Sequence, residues 1–157
     1  MAPNRPPVPV LLVEDNEDHA ELVKRTLRMA DPPVEIVHLR DGEAALEYLG
    51  LGPDGPAPSN PRPSLVLLDL RLPRIDGLDV LRQIKESTVL PPIPVVVLTT
   101  SSARTDVTRA YSLHANSYLA KPVSFDSFRR LMRDLNRYWT GWNVSPVRES
   151  SSPGAPA

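Results

Sequence analysis

The sequence predicts an α/β domain built on a parallel sheet, with helices covering both faces of the sheet. Short apolar runs recur along the chain, for example at residues 65–68 and 95–98, and each is typical of a strand that is buried on both sides. Amphipathic segments of helical length separate these runs. Strands that alternate with helices in this way favour right-handed crossovers and parallel pairing.

Five strand and helix units can be traced in order. The predicted strands cover residues 8–13, 34–39, 64–68, 94–98 and 117–120, and the predicted helices cover residues 17–29, 43–49, 78–86, 103–114 and 124–139. Apolar residues at helical spacing justify the helices; in the last one, Phe128, Leu131 and Leu135 share one side. Asn16 and Ser124 precede the first and last helices and are suited to cap them.

Length and composition indicate one domain with a tail at each end. A chain of 157 residues can bury one core and is short for two. We expect the domain to span residues 8–142, between disordered tails at 1–7 and 143–157. The Pro- and Gly-rich stretch 50–63 is predicted to be a surface loop that lengthens the approach to the third strand, or a tolerated insertion without function.

Charge and cysteine content exclude several classes of protein. Eighteen basic and 19 acidic residues give a formal charge of -1, so no overall field attracts nucleic acid or an anionic membrane. No basic face or helix-turn-helix segment suggests DNA binding. The absence of cysteine excludes disulfides and thiolate sites and fits a cytoplasmic protein. The apolar runs are far shorter than the ~20 residues of a membrane span, so no membrane association is expected.

Polar side chains follow four of the predicted strands at the points where these strands end. Glu14 and Asp15 follow the first strand, Asp69 the third, Thr99 the fourth and Lys121 the fifth. Because parallel strands end at the same edge of a sheet, and open α/β sheets bind ligands there, we expect these residues to form one site. Three crowded carboxylates require a cation among them, and hard oxygen ligands favour Mg²⁺.

Simpler explanations exist for each of these residues taken alone. Glu14 and Asp15 would also suit the N-terminus of the following helix, where acidic residues interact favourably with the macrodipole. Lys121 would also suit a purely structural salt bridge. The occurrence of the whole set on strands one, three, four and five, in order, favours a shared site.

This pattern resembles a receiver domain of a two-component response regulator, over roughly residues 8–140. The resemblance rests on Val13-Glu14-Asp15, Asp69 with Leu72-Pro73 and Asp76-Gly77, Leu98-Thr99, and Tyr118 with Lys121-Pro122. It implies a flavodoxin-like (βα)5 three-layer sandwich whose parallel sheet has the strand order 2-1-3-4-5. It also implies a signalling phosphoacceptor rather than an enzyme, one that catalyses only its own phosphorylation and dephosphorylation.

The resemblance assigns roles to individual residues. Asp69 is expected to accept a phosphoryl group from a partner histidine kinase. The implied ligands of Mg²⁺, direct or through water, are Glu14, Asp15, Asp69 and the backbone carbonyl of Arg71. Lys121 would offset charge on the transferring oxygens. These few residues suffice because phosphoryl transfer requires mainly positioning and electrostatic stabilisation.

Two further residues are implied to form a switch. Thr99 would hydrogen-bond a phosphoryl oxygen and pull its loop inward, while Tyr118 would turn from outward to inward. Tyr118 is also compatible with ordinary half-buried packing. Arg71, two residues after Asp69, and Ser101, two residues after Thr99, flank the expected path of the attacking water. We hypothesise that both tune dephosphorylation and that the bulk of Arg71 slows it.

A finer resemblance is to single-domain regulators that are paired with bacterial phytochrome kinases. It rests on residues 13–18, on Asp41-Gly42-Glu43-Ala44 with Leu46, on residues 98–101 and on the pair Tyr138-Trp139. It implies a red-light-sensing kinase as phosphoryl donor and a homodimer through the fourth helix, fifth strand and fifth helix. Trp139 and Trp142 prolong the apolar stripe of the last helix and are candidate interface residues, unless they fold back on their own domain.

Two alternatives come from other classes of protein. A haloacid-dehalogenase-like phosphatase also uses an Asp at a strand end with Mg²⁺, but its motif needs a second acid two residues on, where this chain has Arg71. A flavodoxin-like electron carrier would need a phosphate-binding loop after the first strand. Glu14 and Asp15 occupy that position and would repel the phosphate of FMN.

Overall fold

The computed structural model describes residues 9–29, 34–55 and 60–146. Along these residues five strands alternate with five helices: β1 Val10–Val13, α1 Glu17–Arg28, β2 Ile36–Leu39, α2 Gly42–Tyr48, β3 Leu65–Leu68, α3 Gly77–Glu86, β4 Val95–Thr99, α4 Arg104–Ser112, β5 Ser117–Ala120 and α5 Phe125–Asn136. A π-helical segment, Arg137–Trp142, continues α5.

The strands form one parallel sheet in the order β2-β1-β3-β4-β5. The three central strands, β1, β3 and β4, are buried along their whole length, which explains why they consist almost entirely of Val and Leu. The predicted α/β class and the flavodoxin-like strand order are therefore confirmed. Because all five strands run in the same direction, their carboxyl ends meet at one edge of the sheet.

Alternate residues of each strand point to opposite faces of the sheet and build two cores. On one face, Leu11 and Val66 pack with residues of α2, α3 and α4. On the other face, Leu12 and Leu67 pack with residues of α1 and α5. Each fully buried Leu or Val contributes about 1.5–3 kcal/mol to the free energy of folding, so the three layers are held together by apolar burial.

Side-chain caps fix the points at which four helices begin. The capping residues are Asn16, Asp41, Asp76 and Ser124, each of which accepts a backbone N–H from the first turn of its helix. The two caps predicted from the sequence, Asn16 and Ser124, are therefore confirmed. Each such cap stabilises the fold by about 1 kcal/mol, and all four lie where the chain turns from the carboxyl end of a strand into a helix.

The last helix differs from the prediction at its C-terminal end. The helix predicted over residues 124–139 is α-helical only to Asn136, and the chain then continues as a π-helix to Trp142. The Thr140 hydroxyl lies 2.6 Å from the backbone carbonyl oxygen of Asn136 and 2.8 Å from its side-chain oxygen. Thr26 and Ser112 make the same kind of contact within α1 and α4, which remain α-helical, so the Thr140 contact marks the change of helix type without causing it.

Part of the predicted organisation lies outside the described residues. The tail 1–7 falls there, as do residues 147–157 of the second tail and residues 56–59 of the predicted loop 50–63. The described part of that loop is attached to Tyr48, whose hydroxyl donates to the carbonyl of Pro61 at 2.8 Å. Within the described ranges, no helix combines the length and the apolar character needed to cross a membrane.

Candidate functional site

Three carboxylates meet at the carboxyl edge of the sheet. One oxygen from each of Glu14, Asp15 and Asp69 lies within 4.8 Å of the others. Glu14 and Asp69 are buried, whereas Asp15 is exposed. The strand register explains why they meet: Val13 pairs with Leu68 in neighbouring parallel strands, so the residues that follow these two strands leave the sheet side by side.

Asp69 follows β3 directly, and both of its carboxylate oxygens are held. The backbone N–H of Arg71 donates to Oδ1 at 3.1 Å. The ammonium of Lys121 donates to Oδ2 at 3.2 Å. One backbone donor from the following loop and one cation from the far side of the sheet therefore fix the orientation of the carboxylate.

The loop behind Asp69 is packed so closely that it requires a glycine. A Cβ atom at Gly77 would collide with the carbonyl oxygen of Asp69 and with the backbone of Leu70. The preceding residue, Asp76, caps α3 by accepting the backbone N–H of Leu78 at 2.9 Å. The Asp76-Gly77 pair thus allows α3 to begin directly against the site.

Lys121 connects the carboxylates across the sheet. Its Nζ lies 2.5 Å from Oε2 of Glu14 and 3.2 Å from Oδ2 of Asp69, and its side chain is only 2% exposed. Its backbone N–H donates to the carbonyl of Thr99 at 2.7 Å, which fixes the start of the chain segment after β5. Removing one partner of a buried ion pair leaves the other uncompensated, so each of these charges depends on the others.

Burial raises the pKa of Glu14 to about 7. Desolvation is the largest cause, because the charged carboxylate loses its hydration; Lys121 opposes the shift and the charge of Asp69 adds to it. Glu14 is also fixed in place, since its Oε1 accepts the backbone N–H of Asn16 at 3.0 Å and its carbonyl accepts from Nε2 of His38 at 2.8 Å. The site therefore holds an excess of negative charge in a position where a cation would relieve it.

The donor set fits a hard divalent cation. Mg²⁺ prefers carboxylate and carbonyl oxygens and usually keeps several waters. Glu14, Asp15 and Asp69 each offer one oxygen within the 4.8 Å cluster, and the exposure of Asp15 leaves a side open to water. The resemblance to receiver domains implies the backbone carbonyl of Arg71 as a further ligand.

Thr99 carries a buried hydroxyl at the end of β4. It is the last residue of β4 and is 0% exposed, and its Oγ1 makes no hydrogen bond within the part of the chain that the structure describes. A buried polar atom left unsatisfied costs about 1–3 kcal/mol. A ligand oxygen arriving at this edge of the sheet would satisfy the hydroxyl.

Tyr118 points inward in this structure. It is half-buried on β5, its hydroxyl donates to the carbonyl of Ser101 at 2.8 Å, and burial raises its pKa. The expected switch moves Tyr118 from an outward to an inward position, and the structure shows the inward one. The Ser101 carbonyl, in the loop after β4, is the acceptor that holds the Tyr118 hydroxyl there.

Arg71 and Ser101 meet at a single residue of α4. Oδ2 of Asp106 accepts the Ser101 hydroxyl at 2.6 Å and the Arg71 guanidinium at 3.0 Å. The two positions proposed to tune dephosphorylation are therefore joined to each other. Asp106 was not singled out from the sequence, where it is indistinguishable from an ordinary acidic residue in the first turn of a helix.

His19 is a second residue of the site that the sequence pattern does not predict. Its Nδ1 lies 3.0 Å from Nζ of Lys121. Because an ammonium only donates, this ring nitrogen is an acceptor, which agrees with the lowered pKa that burial and then the charge of Lys121 give His19. Its position three residues after the Asn16 cap is the signal that would have placed it at the carboxyl edge.

The two tryptophans near the C-terminal end of the described chain have different surroundings. Trp139 is half-buried and packs against the core that α1 and α5 share, with the ring of Tyr138 edge-on at 5.2 Å. Trp142 is 79% exposed and Tyr138 is 55% exposed. Of the two candidate interface residues, Trp139 thus folds back on its own domain and only Trp142 faces solvent.

Fold and site together define the class of protein. A parallel 2-1-3-4-5 sheet that brings an acidic pair, a lone Asp, a Thr and a Lys to its carboxyl edge is the arrangement of a phosphoryl-accepting signalling domain. Residues 10–133 match the response regulator receiver domain family. The chain belongs to this family and is a phosphoacceptor of two-component signalling.

Two of its relatives are regulators of similar length. The chain is 51% identical to the "Probable methanogenesis regulatory protein FilR2" of Methanothrix harundinacea over 140 residues, which cover 89% of this chain and 88% of that protein. It is 40% identical to response regulator Rcp1 of Synechocystis sp. over 136 residues, or 87% and 91% of the two chains.

Solved structures agree with these relationships. The Mn(2+)-bound form of Rcp1 matches with a TM-score of 0.83 and 38% identity, over 90% of this chain and 100% of that one. The phosphorylated cyanobacterial phytochrome response regulator RcpA matches with a TM-score of 0.84 and 34% identity over the same shares. The phosphatase alternative is not supported, since the family and these relatives are regulatory and Arg71 occupies the place of the second acid.

Proposed function

We propose that Asp69 is the phosphoacceptor of this receiver domain and that a partner histidine kinase supplies the phosphoryl group. The observation that carries the proposal is the setting of the Asp69 carboxylate. It lies within 4.8 Å of the two other carboxylates of the cation site and 3.2 Å from the Lys121 ammonium. A fixed cation and a buried setting are what stabilise charge during phosphoryl transfer.

In the proposed step, a carboxylate oxygen of Asp69 forms a bond to phosphorus while the bond between phosphorus and the histidine nitrogen of the kinase breaks. Mg²⁺ held by Glu14, Asp15, Asp69 and the Arg71 carbonyl supplies charge neutralisation when bound. Lys121 shifts from Glu14 toward the incoming oxygens. The chain acts on no other substrate in this proposal and catalyses only its own phosphorylation and dephosphorylation.

We propose Thr99 and Tyr118 as the switch. The Thr99 hydroxyl, which has no hydrogen-bond partner among the described residues, donates to a phosphoryl oxygen on Asp69 and draws the loop after β4 inward. Tyr118 is bonded to Ser101 in the same loop, so the inward movement of that loop and the turn of Tyr118 from outward to inward are coupled. Ser101 and Arg71 tune the subsequent hydrolysis.

For the kinase we propose a bacterial phytochrome, in the cytoplasm. The match to RcpA, a phytochrome response regulator, supports this assignment, and the cysteine-free sequence fits the compartment. The chain is also 51% identical to a methanogenesis regulatory protein, so the identity of the kinase has to be tested by experiment. A purified phytochrome kinase should phosphorylate the chain in a manner that depends on red light, and faster than an unrelated histidine kinase does; equal rates from both would contradict the pairing.

We also propose a homodimer through α4, β5 and α5. Aromatic side chains on this part of the molecule are available for an interface: Tyr111 on α4 is 49% exposed, and Trp142 follows α5 with 79% exposure. Exposed aromatic residues are frequent centres of protein interfaces.

The phosphoacceptor is tested by incubating the chain with a small phosphodonor and Mg²⁺ and measuring the intact mass. The native chain should gain one labile phosphate, and Asp69→Ala should gain none. Asp79→Ala, which removes an exposed carboxylate from α3, is the matched control and should behave like the native chain. An unmodified native chain, or equal modification of Asp69→Ala, would contradict the proposal.

A further inference from the structure

We propose that Asp106 is a positioning residue that controls how long a phosphoryl group on Asp69 survives. The proposal rests on the phosphorylation of Asp69 proposed above. It concerns an acidic residue of α4 that lies outside the acceptor and cation site and acts through Arg71 and Ser101.

One oxygen of Asp106 holds two side chains from different loops. Oδ2 accepts the hydroxyl of Ser101 at 2.6 Å and the guanidinium of Arg71 at 3.0 Å. Ser101 is fixed a second time, because its carbonyl accepts the hydroxyl of Tyr118 at 2.8 Å. Asp106 therefore ties together the loop after β3, the loop after β4 and the first turn of α4.

Arg71 is the partner of Asp106 that can leave this arrangement most easily. The Arg71 side chain is 66% exposed, whereas that of Asp106 is only 16% exposed, so the acceptor is held in place and the guanidinium is free to exchange partners. Its backbone N–H already bonds Oδ1 of Asp69 at 3.1 Å. The side chain thus begins next to the carboxylate that is proposed to carry the phosphoryl group.

A phosphoryl group on Asp69 would compete with Asp106 for Arg71. Guanidinium binds phosphate oxygens with two parallel hydrogen bonds, and such charge-assisted pairs are stronger than neutral ones. When Arg71 moves to the phosphoryl group, it covers the path of the attacking water and slows hydrolysis. Asp106 opposes that movement, so the native lifetime reflects how Arg71 is shared between the two anions.

The expected effect is moderate because exposed ion pairs are weak. Removing the charge of Asp106 should lengthen the lifetime of the phosphoryl group by about two- to fivefold. The variant Asp106→Asn is suitable because it keeps the size of the side chain and an oxygen that accepts from Ser101. Asp106→Glu keeps the charge and should restore a lifetime close to the native one.

A double-mutant cycle on the phosphorylated full chain tests the proposal, with phosphate loss followed by intact mass. Arg71→Ala should shorten the lifetime, and Asp106→Asn should have no further effect in the Arg71→Ala background. Glu43→Gln is the matched control, since Glu43 pairs at 3.4 Å with Arg74, another arginine of the loop after β3. It should leave the lifetime unchanged.

An unchanged lifetime in Asp106→Asn would overturn the proposal, as would an equal change with and without Arg71. Circular dichroism verifies that each variant folds. If Asp106→Asn does not fold, Asp106→Ser, which also lacks the charge, replaces it. If the native chain gains no phosphate, both the proposed function and this inference are wrong. If the native chain is phosphorylated but substitution of Asp106 does not change the lifetime of the phosphoryl group, only this inference is wrong.

Discussion

The ammonium of Lys121 lies 2.5 Å from Oε2 of Glu14, although 107 positions separate the two residues in the sequence. The contact links the end of β5 to the end of β1, across the positions of β3 and β4 in the sheet. Both side chains are 2% exposed. Because a buried charge is tolerated only with its partner, the protonation and metal-binding behaviour of the site is governed by this pair together with Asp69.

We predict that Mg²⁺ binds more tightly as the pH rises through about 7. Burial raises the pKa of Glu14 from 4.5 to about 7, so below that pH the carboxyl carries a proton that the metal has to displace. Titration calorimetry in buffers of different ionisation enthalpy should detect the released proton. Glu14→Gln should bind Mg²⁺ more weakly and lose the dependence on pH in this range. A native affinity that stays constant through pH 7 would contradict the prediction.

We predict that Lys121→Met destabilises the chain and that Mg²⁺ recovers part of the loss. The substitution leaves Glu14 and Asp69 without their buried cation, which costs about 3–5 kcal/mol of unfolding free energy. Chemical denaturation with and without Mg²⁺ measures both effects. Lys85→Met is the control, because Lys85 donates to the neutral oxygens of Ile93 and Asn116. Mg²⁺ should not change the unfolding free energy that this variant loses. A Lys121→Met deficit that Mg²⁺ does not change would argue against a cation site here.

We predict that Thr99→Val reduces phosphorylation without reducing the stability of the fold. The hydroxyl of Thr99 finds no acceptor within the described residues, so replacing it by a methyl group should leave the free energy of unfolding unchanged or raise it by about 1 kcal/mol. The same change should reduce the accumulation of phosphorylated protein, since a phosphoryl oxygen loses its donor. Thr99→Ser keeps the hydroxyl and should retain phosphorylation. Thermal unfolding and intact mass give the two measurements; a clear loss of stability in Thr99→Val would show that the hydroxyl has a structural partner.

We predict that the two tryptophans act differently when replaced by Ala. Trp139 packs on its own core, so Trp139→Ala should lower the unfolding free energy by about 1–3 kcal/mol, less than a fully buried Trp because the ring is half exposed. Trp142 is 79% exposed, so Trp142→Ala should change stability by less than about 0.5 kcal/mol and should weaken the proposed dimer. Light scattering before and after phosphorylation measures the dimer. A chain that is monomeric in both states, or a dimer that Trp142→Ala leaves intact, would contradict the prediction.

Much of the site was predictable because each of its main residues directly follows or ends a strand that the sequence marks by itself. The apolar runs that become β1, β3 and β4 are buried on both faces, and such strands are continuous in Val and Leu for that reason. Once the strands are parallel, chain connectivity brings Glu14, Asp69, Thr99 and Lys121 to one edge. The caps at Asn16 and Ser124 were predictable in the same way, since a cap depends only on the residues next to it.

The tertiary structure alone decided which side chains reach one another across that edge. Arg71 and Asp106 are 35 positions apart, and Lys121 and His19 are 102 positions apart, so no local pattern marks either pair. The end of α5 is a similar case: the chain becomes π-helical after Asn136, Trp139 packs against the core of its own domain, and Trp142 faces solvent. Local propensity and connectivity determine the elements and their order. The contacts between loops depend on the lengths and directions of side chains in the packed domain. These are fixed only when the chain has folded, so no local sequence pattern predicts them.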